Sequence, residues 1–105
     1  MSPAKLLEIS CSEKDRWESK PLHEAVVEQC RELGVAGATV LRGLEGYGET
    51  AAIHSPHLLR HDLPVTILVV DSAENVETLA RVVQRMMEKG IMTISDVSAR
   101  RVRTS

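Results

Sequence analysis

The segment Pro64 to Asp71 constrains the fold of this chain more than any other. Read as a strand, it points Val65, Ile67 and Val69 to one side and Leu68 and Val70 to the other. A strand that is apolar on both sides needs cover on both sides. The chain has 105 residues, enough for one domain and one core. Hydrophobic residues make up 43% of it, yet it has no Phe and only Trp17 and Tyr47 as aromatics, so its core is aliphatic. With no second core to supply the missing cover, the expected partner for the far face is another copy of the chain.

The remaining elements fall around that strand. Lys5 to Cys11 carries Leu6, Leu7 and Ile9 and predicts a first strand. Ser12 to Lys20 is polar and reads as a loop, with Trp17 either packing over it as a lid or stacking on a base. Pro21 suits the first turn of a helix. From there Leu22, Val26, Cys30 and Leu33 form one apolar stripe, and Gly34 supplies a left-handed stop. Cys30 lies on that stripe and reads as a buried structural thiol. A second strand is expected from Ala38 to about Tyr47. Asp71 and Ser72 both suit a helix N-cap, and Asp71 with Glu74 has the spacing of a capping box. The second helix presents Val76, Leu79, Ala80, Val83 and Met87 on one face and ends at Gly90. Met92 to Val102 alternates as a fourth strand. The order β-α-β-β-α-β is that of a ferredoxin-like α+β sandwich, a four-stranded antiparallel sheet with two helices on one face. The whole chain, 1–105, reads as one such domain.

A net charge of −2 argues against a general nucleic-acid binder. No apolar run is long enough to span a bilayer, and the N-terminus lacks the pattern of a signal peptide. Cys11 and Cys30 are not in a Cys-x-x-Cys pair and read as the reduced thiols of a cytoplasmic protein.

Chemistry is sparse, and its clearest locus is Gly37-Ala-Thr-Val-Leu-Arg-Gly-Leu-Glu-Gly-Tyr-Gly48. Glycines weaken a packed strand, so Gly43, Gly46 and Gly48 signal a bulge or a close backbone approach. Beside Arg42, the amides they expose suit an anionic ligand. Arg101 and Arg103 share one face of the expected fourth strand and suit phosphate oxygens, or else form a solvated tail. His54, His57 and His61 form His-x2-His-x3-His, which reads either as a zinc or copper site or as a solvated loop. No nucleophile elbow, phosphate-binding P-loop or carboxylate pair is present, so no catalytic residue is assigned and the chain reads as non-enzymatic.

Asp15-Arg16-Trp17, Lys20-Pro21-Leu22-His23-Glu24-Ala25, Gly37 to Gly48, Ile53-His54 and Leu63-Pro64-Val65 together resemble a bacterial and archaeal family. It is domain-of-unknown-function family 190, grouped with the PII-like signalling proteins in a superfamily shared with the divalent-cation-tolerance proteins. The resemblance spans nearly the whole chain. It implies a homotrimer that binds an adenine nucleotide in clefts between subunits, with no firm cofactor. It also implies regulation of a target protein, a membrane transporter or an enzyme, through a mobile loop of residues 45–63. Gly37, Ala38 and Thr39 would face the base, Arg42, Gly43 and Gly46 would lie at the loop root, and Arg101 and Arg103 would lie near the phosphates. The link Glu88-Lys-Gly-Ile-Met-Thr93 has one Gly and one Lys where PII proteins have several. That composition favours a monophosphate, a diphosphate, a cyclic nucleotide or another small anion over a triphosphate. A trimeric metal-binding protein using the three loop histidines is the alternative. A resemblance to acylphosphatases is weaker, because Ser12 to Arg16 lacks the glycine-rich loop such an enzyme needs.

Overall fold

The structure is a computed structural model, and it describes residues 3–44 and 63–102. β1 (Ala4–Ser12) leads through a short hairpin, β2 (Arg16–Trp17) and β3 (Lys20–Pro21), into α1 (Leu22–Leu33). β4 (Thr39–Arg42), β5 (Pro64–Asp71), α2 (Ala73–Met86) and β6 (Ile91–Val97) follow. The main sheet has the order β4-β5-β1-β6, antiparallel throughout. This is the expected ferredoxin-like sandwich.

The register explains why both helices sit on one face. Leu7 pairs with Val69, Ile9 with Ile67 and Cys11 with Val65, and all six are buried. The apolar stripes of the helices close over them: Leu22, Ala25, Val26 and Cys30 of α1, and Val76, Leu79, Ala80, Val83 and Met86 of α2. Trp17, partly buried, packs at the margin of this core. The opposite face presents Leu6 against Val70 and Thr39 against Leu68, with Leu41 beside Thr66. No helix covers these residues, and Val70 and Leu41 are 37% and 51% exposed.

Several boundaries depart from expectation, each for a local reason. The Ser12–Lys20 loop contains the β2–β3 hairpin, with Glu18 at φ 55° in its turn. Pro21 is the N-cap of α1, one residue before its first turn. Gly34 does adopt the left-handed conformation, at φ 74°, with its N–H bonded to the Arg31 carbonyl and that of Val35 to Cys30. Ser72 alone caps α2, its hydroxyl accepting from the Asn75 N–H at 3.2 Å, so the Asp71–Glu74 capping box does not form. α2 stops at Met86, capped by an extended Met87, whereas Gly90 at φ 123° makes the following turn.

The second strand is described only over Thr39–Arg42. The Gly43 N–H donates to the Pro64 carbonyl at 2.8 Å, but proline has no N–H to return, and the ladder ends there. β6 ends at Val97, opposite Ala4 where β1 begins. The fourth strand therefore does not reach Val102, and strand alternation does not orient Arg101. Among the described residues, no helix is long and apolar enough to cross a membrane.

Both thiols are buried, and burial, helped by the Asp15 charge, pushes Cys11 up to about 11; burial also raises Cys30. Neither is a thiolate at neutral pH. In the folded protein at pH 8 neither cysteine should react with a disulfide reagent within minutes, and two thiols should appear on denaturation. Rapid native labelling of either would contradict this packing.

Candidate functional site

The approach to β4 is held by a buried carboxylate. Asp71, at the end of β5, accepts from the Ala36 N–H at 2.7 Å, the Ser72 N–H at 2.7 Å and the Asn75 side-chain amide at 3.0 Å. Burial alone would raise its pKa, but these bonds outweigh burial and hold the carboxyl below its ordinary value. The effect is to fasten the turn after α1 to the start of α2. Gly37, Ala38 and Thr39 emerge from that anchor along the outer edge of the sheet. A Cβ added at Gly37 would meet no atom within 4 Å, so this backbone is open to an approaching group.

Arg42 closes β4 and pairs with Glu13 at 2.9 Å, across the start of β5. Glu13 follows β1, and its N–H donates to the Leu63 carbonyl at 2.8 Å. Gly43 lies so close to Pro64 that an added Cβ would stand 2.7 Å from the proline Cγ. Here glycine is required by contact, because a proline ring has little freedom to retreat. The expected site residues Gly37, Ala38, Thr39, Arg42 and Gly43 thus form one continuous edge.

Arg101 is not among them. It lies beyond β6, the strand at the other edge of the sheet, and is exposed. One chain does not unite the two groups. Gly46, Arg103 and the histidines His54, His57 and His61 lie outside the described residues, as does nearly all of the expected 45–63 loop. Among the described residues no group of three or more His, Cys, Asp or Glu could hold a metal ion.

The link after α2 contributes more than its composition suggested. A cleft of about 370 Å³ is lined by Gln84, Met87, Glu88, Lys89, Gly90 and Met92. A second cleft, of about 260 Å³, lies between this link and the β1–β2 turn, where Lys14 and Arg16 join Lys89, with Asp15 and Glu88 opposing them. Lys89-Gly90 was visible in the sequence. Lys14 and Arg16 sit some seventy positions away, and no local pattern ties them to it.

Comparison with known proteins agrees with this architecture. Residues 4–99 match the DUF190 family, described as "Uncharacterized ACR". A UPF0166 protein of Aquifex aeolicus is 36% identical over 95 residues, 89% of this chain and 90% of the relative. One from Methanocaldococcus jannaschii is 32% identical over 98 residues, 91% of each. Among solved structures, CPII from Thiomonas intermedia, bound to ADP and bicarbonate, superposes with a TM-score of 0.70 at 24% identity. That match covers 94% of this chain and 90% of CPII and shows a shared PII-like fold.

Two outcomes follow from the geometry. Asp71→Asn should cost about 1–3 kcal/mol, since it weakens three bonds at a buried acceptor. In the parent the carboxylate's contribution is fully present above the unfolded carboxyl pKa of about 4 and is lost as pH falls through the lower folded value. The variant's stability, followed by urea denaturation, should therefore fall less on acidification than the parent's. Gly43→Ala should cost about 1–3 kcal/mol through overpacking on Pro64. An unchanged melting temperature would contradict the contact.

Proposed function

The chain belongs to the DUF190 family, and from its PII-like fold we propose that it is a non-enzymatic sensor of a small anionic ligand, an adenine nucleotide with one or two phosphates. One observation carries this reading. The Gly37–Gly43 segment, with its open backbone and Arg42, runs along β4 at one edge of the sheet, whereas Lys89 and Gly90 precede β6, the strand at the other edge, and Arg101 follows it. A ring of like subunits, each setting its β4 edge near its neighbour's β6 side, would combine the two halves into a site at each junction. The same ring would cover Leu6, Leu41, Leu68 and Val70, the apolar residues that no helix covers. By the resemblance to PII-like proteins, the base would face Gly37, Ala38 and Thr39, while Arg42, Gly43 and Gly46 would hold the loop root. Arg101 and Arg103 would neutralise phosphate.

In this proposal three copies assemble in the cytoplasm, each a single domain spanning 1–105. Occupancy would be passed to a target, a transporter or an enzyme, through residues 45–63. Such coupling requires the ligand to bind one loop arrangement more tightly than another.

Light scattering should show a trimer, and Leu68→Lys should dissociate it by placing a charge in the covered face. A folded monomer of the parent protein at working concentration would remove the shared sites and this reading with them. Calorimetry should detect ADP or AMP, with Arg42→Ala binding roughly ten- to a hundredfold more weakly, as expected for loss of a charge-assisted hydrogen bond. Silence from AMP, ADP, ATP and cyclic AMP alike would end the nucleotide assignment.

A further inference from the structure

Arg42 already has a negative partner. Glu13 Oε1 stands 2.9 Å from Arg42 Nη2, while Glu13 Oε2 is buried and accepts no hydrogen bond among the described residues. The pair is therefore half-made. A guanidinium offers five donors and a carboxylate can accept two of them side by side, but here only one such contact forms. The Glu13 side chain is 21% exposed and that of Arg42 56%, so the acid is the sheltered member and the base faces solvent.

Glu13 is held in place by its own backbone. Its N–H is bonded to the Leu63 carbonyl, and the turn around it is fixed by Ser12 N–H to Asp15 at 2.9 Å and Lys14 N–H to the Ser12 hydroxyl at 3.1 Å. Arg42 is followed directly by Gly43, whose N–H is bonded to Pro64. The strand leaving the sheet at Arg42 and the strand returning at Leu63 thus meet at one glutamate.

We propose that Glu13 is a built-in competitor for the anionic ligand: its carboxylate pairs with Arg42 and yields the guanidinium when ligand oxyanions arrive. This rests on the assignment of Arg42 to ligand binding made above. An oxyanion at Arg42 meets the Glu13 carboxylate as a like charge, so each weakens the other's hold on the guanidinium. The free energy that holds Glu13 on Arg42 lowers ligand affinity by the same factor by which the ligand loosens the pair. Glu13 thereby sets the ligand concentration at which the site fills, and it transmits filling to the Leu63 carbonyl through its own N–H.

The test is ADP calorimetry on the full chain and on Glu13→Gln, which keeps the side chain's size and removes its charge. The variant should bind ADP roughly two- to tenfold more tightly, the range expected when a partly exposed ion pair no longer competes. A glutamate with only a structural role would give weaker or equal binding when replaced, and either result overturns the proposal. Should Glu13→Gln fail to fold, the parent protein suffices. In carbon-13 spectra the Glu13 carboxylate signal should move with ADP on the same isotherm as the Arg42 guanidinium signal. An unmoved Glu13 beside a moving Arg42 overturns the competition while leaving the sensor reading intact. If the parent binds no ADP at all, both fall together.

Discussion

Everything in this molecule is referred to the pairing of β1 with β5. These are the two central strands of the sheet, and their register sets Leu7, Ile9 and Cys11 beside Val69, Ile67 and Val65. A slip of β1 by one residue against β5 would send Leu7, Ile9 and Cys11 to the other face and bring Glu8 and Ser10 under the helices. With about 0.8 kcal/mol per buried methylene at stake, no other register competes. The absence of phenylalanine makes this more demanding. An aliphatic core gains its stability from many small, closely fitted contacts rather than from a few large rings.

The register also decides what remains outside. Alternation that buries one set of side chains presents Leu6, Leu68 and Val70 on the far face, joined by Leu41 from β4. The strand order places β4 and β6 at the two edges, and with them the polar groups suited to an anion. Core and candidate site are thus two results of one pairing scheme. Asp71 joins them, since it closes a core strand and at the same time fixes the backbone from which Gly37 to Thr39 depart.

Much of this was legible in the chain. The alternation of Val65 to Val70 identified both the central strand and its two-sided character, and the helical stripes through Val26 and Val76 named the residues that cover it. Gly34 and Cys30 behave as local rules require. The readings that slipped did so where a distant partner decides. β6 stops at Val97, opposite the start of β1 more than ninety positions away, and β4 loses its ladder at Gly43 because it meets Pro64. Asp71 suits a cap for the helix beside it, but Ser72 holds that position, and the Asp71 carboxylate ties Ala36 to the start of α2.

The sequence by itself determined the order of elements, the composition of the core and the presence of an arginine among glycines. It could do so because hydrophobic periodicity and backbone preference act over a few neighbouring residues. Only the tertiary structure decided that Arg42 pairs with Glu13, that Gly43 is needed to clear Pro64, and that β4, which carries Arg42, and β6, which Arg101 follows, are the two opposite edges of the sheet. Such relations depend on which strands lie side by side, and strand order is chosen by the packing of the whole domain rather than by any segment of it.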